Sequence, residues 1–383
     1  MPYIHRLRLT DFRSYIQLDL ELDGRPVVLF GSNGSGKTNL LEAISFLSPG
    51  RGLRRAKMED ITHQSPAQNS DTNHTPSRFW GVHAHWQSAD ESLKISIGQV
   101  PESPGRRTIR IDGKNTTGAE LARHVRMIWL TPAQDRLFTG PAADRRRFLD
   151  RFTLAHDPVH GLNTLRYEKA RTERNRLLSD RISDWGWYEA LEADMATHSA
   201  RIARARVETV NKLICEIDAR SESEFPKADI ALQGYVEAMV QQDMSEDDVI
   251  LSVKDYLAEN RALDMRAGRT LEGVHKSDLV VTYAAKAMPA SECSTGEQKA
   301  LLIGLTLAQA RSQQDHMPLM LLDEVAAHLD ENRRAALIEE LIALGIQTFM
   351  TGTDAHLFKA FQGRAQTFSV ANSQLQDMSE TCD

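Results

Sequence analysis

Val27 to Phe46 reads VVLFGSNGSGKTNLLEAISF: an apolar run, a glycine-rich octet ending in lysine and threonine, then good helix formers from Asn39 onward. PVVLF has the composition of a central strand, and the segment after the octet that of a helix. Between them GSNGSGKT, Gly31 to Thr38, satisfies G-x-x-x-x-G-K-[ST]. In that pattern glycines let backbone N–H groups turn inward around phosphate oxygens, Lys37 reaches the outer phosphates, and the Thr38 hydroxyl can hold Mg²⁺. At ~7% Gly, chance sets the pattern in roughly one chain in a hundred before strand and helix are required. A glycine-rich turn with an incidental lysine is therefore the weaker reading. Gly31, Ser32, Asn33, Gly34, Ser35, Gly36, Lys37, Thr38 and the adjoining Asn39 are the nucleotide-binding candidates.

A second apolar strand ends in two carboxylates, LMLLDE, Leu319 to Glu324. Beside a phosphate loop, Asp323 is placed to hold Mg²⁺ through water, and Glu324 to polarise an attacking water as general base. Alone, the pair would read equally well as the capping acids of the next helix. A third piece, ECSTGEQKALL, sets Ser294, Gly296 and Gln298 at the start of a long apolar-periodic helix, with Ser294 as its cap and the positive end of its dipole open to an anion.

Outward from these pieces, Ile4–Leu9 and Leu18–Leu22 alternate with period two and read as antiparallel strands joined through FRSY. Thr62 to Ser77 is polar and aperiodic and is assigned to a mobile surface insertion. FWGVHAHW, SLKISIGQV and RRTIRIDG read as a small meander, and RMIWLTP closes the first region. On that meander His83 and His85 share a strand face without a third ligand, which favours solvated histidines over a metal pair. From Ala142 to Arg220 strand signals vanish and helical spacing takes over. Each half of this arm is roughly 25 to 30 residues, about 40 Å at ~1.5 Å per residue, too short for a coiled-coil tether. DLVVTYAAK, GEQKALLIGLTLAQARS, PLMLLD, ENRRAALIEELIALG and QTFMTGT then alternate strand and helix, the pattern of a largely parallel sheet. The expected organisation is a head from residues 1–130 and 266–383, with a helical arm or lid from 131–265 and a mobile loop at 62–77.

The chain has 383 residues, 41% hydrophobic and 26% charged, with five Trp and twelve Phe, which fits globular domains rather than disorder. No run approaches the ~20 apolar residues of a membrane span, and the opening MPYIHRLRLTDF is not a secretory signal, so a cytoplasmic protein is expected. Cys215, Cys293 and Cys382 lie far apart without a CxxC pair, which supports neither a disulfide framework nor a thiolate zinc site. A net charge of −7 argues against bulk attraction to nucleic acid and leaves room only for a local basic face.

Phosphate loop, helical insertion, STGEQ, MLLDE and AHLD at Ala327 to Asp330, in that order, resemble the ATPase heads of the ABC superfamily, of the SMC and Rad50 type. The resemblance implies an α/β fold with a P-loop ABC-type head, a mixed sheet with helices, assembled from the N- and C-terminal segments. It implies ATP and Mg²⁺ as cofactors and a homodimer in which STGEQ of one protomer covers the γ-phosphate held by the other. Asp330 would contact the facing subunit. IHRLRLTDFRSY, LTPAQDRLFTGPAADRRRFLD, YEKARTERNRLL, TLEGVHKSDL and LMLLDEVAAHLD narrow the match, from end to end, to a chain similar to the RecF family of bacterial recombination and gap-repair proteins. That implies ATP-dependent dimerisation on double-stranded or gapped DNA, action with the RecR and RecO mediators in loading RecA, a part in DNA replication and the DNA-damage (SOS) response, and no membrane. It puts Arg13 and Ser14 of FRSY at the nucleotide. The family's GPHRDDL stands here as GVHKSDL, which carries over His275 alone. Where ABC heads present a switch histidine, this chain has MTGTD, so Thr351 or Thr353 occupies the place, with Thr353 taken as the contact, and slow turnover is expected. Gln134 stands as a candidate for the magnesium-site glutamine, against a plain surface-loop residue.

For DNA, the informative cations are Arg145, Arg146 and Arg147, then Arg166, Lys169, Arg171, Arg174 and Arg176, with Arg145, Arg146, Arg147, Arg171 and Arg174 as the selected contacts. Glu168 and Glu173 lie among them, so a salt-bridged helix surface competes with a phosphate-binding one. Arg201, Arg204 and Arg206 extend the theme. Contacts to phosphate would be salt-sensitive and indifferent to sequence. The leading expectation is a DNA-binding ABC-type ATPase of recombinational repair with weak, DNA-stimulated turnover. A membrane transporter's ATPase subunit shares both nucleotide motifs but not the arginine-rich insertion or the FRSY start. A nucleotide-gated clamp with vestigial hydrolysis is the third.

Overall fold

Two strands of alternating polarity open the chain, β1 (Tyr3–Phe12) and β2 (Tyr15–Glu21), paired antiparallel around Arg13 and Ser14. The computed structural model describes residues 1–63, 79–89, 91–99, 107–221, 223–313 and 316–379. It divides into two compact units, Met1–Gln134 with Glu222–Phe225 and Gln313–Asp383, and Asp135–Ser221 with Pro226–Ser312. In the first unit β3 (Val27–Phe30) is followed by the glycine-rich loop and α1 (Lys37–Ser45). Then come β4 (Gly81–Gln87), β5 (Ser92–Gly98), β6 (Thr108–Ile111) and β7 (Lys114–Asn115), which extend the first pair into an antiparallel sheet of order β2-β1-β4-β5-β6-β7. Its inner face presents Leu7, Leu9, Val82, Ala84, Ile95 and Ile97 to the core. Arg6, Arg8, His83, His85 and Lys94 lie along its outer face. Burial, then the charge of Arg8 for His83 and of Lys94 and Arg8 for His85, holds both rings below the ordinary imidazole pKa. Among the described residues no three His, Cys, Asp or Glu gather into a metal cluster.

Of the stretch expected to be mobile, residues 64–77 lie outside the described residues, as does Cys382. Thr62 and His63 are tied to the sheet: Thr62 bridges Phe12, and the His63 N–H donates to Asp11 O at 2.8 Å. Helix α2 (Gly118–His124), capped by Thr117, leads into β8 (Met127–Leu130), buried on both faces.

The second unit holds α3 (Ala142–His156), α4 (His160–Ser179) and α5 (Trp185–Ala219). At ~1.5 Å per residue the last is about 52 Å long, more than its sequence half suggested, because its periodicity runs unbroken from Asp184, whose side chain caps it, to Ala219. It continues with β9 (Ala228–Gln233), α6 (Tyr235–Gln241), α7 (Glu246–Glu259), α8 (Arg261–Ala267), β10 (Asp278–Tyr283), β11 (Met288–Pro289) and α9 (Thr295–Arg311). The boundary expected at residue 265 moves to Ser312. The reason is strand pairing: β10, read as a return to the parallel sheet, pairs antiparallel with β9, Asp278 opposite Gln233 through Tyr283 opposite Ala228. Helix α9 is buried continuously from Gln298 to Ala310, which its all-round apolar composition dictates.

The chain then completes the first unit with β12 (Leu319–Leu322), α10 (Glu331–Leu344), β13 (Thr348–Gly352), β14 (Gln366–Ala371) and β15 (Gln374–Asp377). These form the sheet β15-β14-β3-β13-β12-β8, parallel except for β15. Strands β3, β12, β13 and β8 are almost wholly buried, as parallel strands covered on both faces must be. Because β13 lies between β3 and β12, the loop after β3 and the carboxylates after β12 emerge at the same sheet edge, the carboxyl ends where α/β sheets place ligands.

Candidate nucleotide-binding site

The loop after β3 depends on backbone that only glycine adopts freely. Gly36 sits at φ 114°, and a Cβ there would lie 2.9 Å from Ser373 Oγ; at Gly31, φ 154°, it would lie 2.2 Å from Val370 O. Lys37 reaches back across the loop, its Nζ donating to Gly31 O at 2.6 Å and Ser32 O at 2.8 Å. Burial lowers its pKa, opposed by the charges of Glu324 and Asp323. Ser32, Asn33 and Gly34 are exposed at the loop crest, whereas Ser35 is buried.

Asp323 follows β12 directly, at 5% exposure. Its backbone N–H donates to Leu130 O at 2.8 Å. Its Oδ1 accepts two hydroxyl protons, from Thr38 at 3.0 Å and from Thr351 at 2.8 Å. Glu324 takes left-handed backbone, φ 55° and ψ 21°, a cost of roughly 1–3 kcal/mol for a non-glycine residue and one met mostly at functional sites. Its N–H donates to Thr351 Oγ1 at 2.9 Å. A cleft of about 130 Å³ is lined by Asn33, Gly34, Lys37, Thr38, Arg54 and Glu324, with Gly36 and Asn39.

Other predicted contacts are placed differently. Arg13, at φ 54°, turns its guanidinium to buried Glu42, with two bonds of 3.0 Å, and to Asp60 O at 2.5 Å. It is not among the cleft residues, because a fully buried carboxylate on α1 requires a cation. Ser14 Oγ accepts from Asn39 Nδ2 at 2.8 Å, and Asn39 Oδ1 accepts from Arg54 at 3.0 Å. The arginine at the cleft is thus Arg54, which the sequence hid within the basic run GRGLRRAK. Gln134 turns its amide oxygen to the Thr131 N–H at 2.7 Å and hydroxyl at 3.0 Å, so its own loop engages it. Thr353 is exposed beyond β13; Thr351, fully buried, is the threonine that meets the carboxylates.

Asp330 caps α10 by accepting from Arg333 N at 2.9 Å. In the second unit Ser294 and Glu297 form a reciprocal capping box on α9, and Lys286 pairs with Glu297. The Lys286 hydrogen bond, with those of Ser294, holds the Glu297 carboxyl down to about 2. Gly296 is exposed with open space at its Cβ position, and Gln298 donates to Cys293 O at 2.8 Å.

The arginines selected for DNA are largely spent inside the second unit. Arg174 is fully buried, bonding Glu192 at 3.0 Å, Asp264 at 2.6 Å, Thr270 at 2.9 Å and Leu257 O at 2.9 Å. Arg145 grips Asp278 through two bonds of 2.7 Å, Arg146 donates to Ser277 O at 2.6 Å, and Arg171 pairs with Glu168 at 2.5 Å. Arg147 pairs with Asp144 and keeps 46% of its side chain exposed. Arg206 is buried too, between Asp150 and Glu237 at 2.8 and 2.9 Å. Arg174 is therefore corrected from a DNA contact to a tie of the fold: a buried arginine needs carboxylate partners and has none to spare for phosphate. Arg145, with 17% of its side chain exposed, is held by its bidentate pair with Asp278.

His275 of the GVHKSDL loop is also internal. Thr270 O, 3.3 Å from Nε2, can only accept, so Nε2 carries the ring proton and Nδ1 accepts from Tyr167 at 2.7 Å. Burial pushes its pKa down to about 4. The folded value lies below the unfolded value of ~6.5, so the neutral ring's stabilisation is complete above pH ~6.5 and lost as pH falls through about 4. Replacement by Gln, which keeps an acceptor and a donor, is expected to flatten that stretch of the stability–pH curve, measured by urea melts between pH 7 and 4.

The family model described as "RecF/RecN/SMC N terminal domain" matches residues 3–376. The chain is 49% identical to the DNA replication and repair protein RecF of Mesorhizobium japonicum over 96% of both chains. It is 46% identical to that of Caulobacter vibrioides, again over 96% of both. Among solved structures, the recombination mediator protein RecF with an ATP analogue superposes with a TM-score of 0.81 over 98% of both chains at 23% identity. An Smc head domain from Pyrococcus furiosus follows at 0.56, with 16% identity over 98% of this chain and 96% of that one. The fold is that of RecF and SMC heads, and by the family model and full-length relatives this chain belongs to the RecF family.

Proposed function

We propose that the chain is an ATP-dependent DNA-binding protein of recombinational repair and replication-gap processing, in which ATP binding drives homodimerisation on double-stranded or gapped DNA and slow hydrolysis releases it. The observation that carries the reading is the cluster at the sheet edge, where Lys37 and Thr38, after β3, meet Asp323 and Glu324, after β12, Thr38 and Asp323 being 285 residues apart. Lys37 neutralises the outer phosphates once they replace its bonds to the loop carbonyls, and the glycine-rich amides hold them in place. Glu324 takes a proton from the attacking water as that oxygen bonds the γ-phosphorus; the bond from phosphorus to the bridging oxygen breaks, and its electron pair leaves with ADP. Thr38 and Asp323 offer a hydroxyl and a carboxylate, hard oxygen donors of the kind Mg²⁺ takes together with waters and substrate phosphates. When bound there, Mg²⁺ supplies neutralisation of the charge on the phosphates.

The transporter reading is set aside: the full-length relatives are DNA replication and repair proteins. RecR and RecO as partners rest on a similar structure described in the RecFOR pathway, and RecA loading as outcome rests on the family resemblance. The proposed place of action is the bacterial cytoplasm, where the DNA is. Titration of a labelled gapped duplex at several salt concentrations tests the DNA part. Affinity that rises with ATP, falls steeply with salt and ignores sequence supports it; affinity indifferent to ATP contradicts it.

A further inference from the structure

Thr351 lies on β13, the strand between the one that feeds the phosphate loop and the one that ends in the carboxylates. It is fully buried. A hydroxyl has one proton and two lone pairs. Here the proton goes to Asp323 Oδ1 at 2.8 Å, and a lone pair takes the Glu324 N–H at 2.9 Å. One oxygen atom thus touches both residues after β12, the side chain of the first and the backbone of the second. Glu324 has the left-handed backbone that a non-glycine residue avoids unless its surroundings hold it there. The bond from its N–H to Thr351 is such a hold.

We infer that Thr351 is a positioning residue for ATP hydrolysis: its hydroxyl orients Asp323 and fixes the backbone of Glu324, so that the magnesium-facing and water-activating carboxylates are set together. The inference rests on the roles proposed above for those two carboxylates. Thr38 shares the same acceptor, Asp323 Oδ1 at 3.0 Å. With both hydroxyl protons on Oδ1, Oδ2 would be the oxygen left to serve a magnesium ion's water shell. Thr38 meanwhile keeps its lone pairs for the ion, since its proton is already committed.

It also separates the two threonines of MTGTD by task. Thr353 is exposed at the end of β13 and stands where the resemblance puts the γ-phosphate sensor. Thr351, two residues back within β13, reaches the carboxylates instead.

Threonine to valine conserves shape and deletes both hydrogen bonds. Thr351→Val is therefore expected to lower kcat by about 10- to 100-fold, the scale of a slightly misplaced catalytic group. ATP affinity, measured with a fluorescent ATP analogue and no turnover, should stay within about threefold, since Thr351 lines no part of the cleft. The Mg²⁺ concentration for half-maximal rate should rise. Thr351→Ser keeps the hydroxyl and should restore most of the rate. If Thr351→Val does not fold, Thr351→Ala removes the same hydroxyl without adding a contact and is read in the same way. Wild-type kcat in the hydroxyl-free variants overturns the inference. So does a serine variant as impaired as the valine one, because then the methyl group and its packing are what matters. Glu324→Gln measured alongside separates the two levels. If it turns over normally, the reading of the carboxylates fails; if it is inactive while Thr351→Val is not, only the positioning role falls.

Discussion

Glu324→Gln is expected to lower steady-state ATP turnover by at least about 100-fold, the low end of what a positioned general base contributes. Glutamine keeps the shape and the backbone bond from residue 324 to Thr351, so the cleft beside Lys37 and Thr38 is retained. What it lacks is an oxygen able to take the water's proton. ATP binding, by contrast, depends on the glycine-rich amides and Lys37 and should persist. A variant that binds but does not hydrolyse should accumulate as the ATP-bound dimer. Comparing turnover with bound nucleotide after gel filtration checks both statements. Unchanged turnover removes Glu324 from the chemistry, and absence of turnover even in the wild type would leave a nucleotide-gated clamp.

The second large effect concerns stability. Arg174→Ala is expected to destabilise the chain by about 3–5 kcal/mol, because it strips the cation from buried Asp264 and weakens its grip on Glu192. Arg261 retains its bidentate hold on Glu192, so Asp264 is the carboxylate left most exposed to the loss. Urea denaturation of the variant checks the magnitude. Reduced DNA affinity in a variant of wild-type stability would instead restore Arg174 as a DNA contact. Arg147→Ala is the matching control at the surface: its partner Asp144 is three residues away, both side chains are largely exposed, and such pairs contribute little to stability.

These two variants also mark where the amino-acid sequence was readable. The nucleotide site was legible because its information is local: an apolar strand, eight consecutive residues and a helix, then a second apolar strand with DE at its end. The sheet then brings the two segments together through β13. The basic residues were not legible, because their fates depend on partners far along the chain. Arg145 meets Asp278, 133 residues away, and Arg174 meets Asp264, 90 residues away. From spacing alone an arginine on a helix is free for phosphate or for a salt bridge; only the tertiary fold says which. Strand β10 misled for the same reason, since DLVVTY carries no mark of whether its neighbour is β9 or the parallel sheet. Thr351 and Thr353 lie two residues apart, and burial, not composition, separates them.

The central claim is that this RecF-family chain is an ATP-gated dimer on DNA. Sedimentation of the purified protein with and without ATP–Mg²⁺, with a gapped duplex at low and moderate salt, tests it most directly. The account predicts a shift from monomer to dimer that requires ATP, and a dimer that co-sediments with the duplex. A monomer indifferent to both nucleotide and DNA would contradict it.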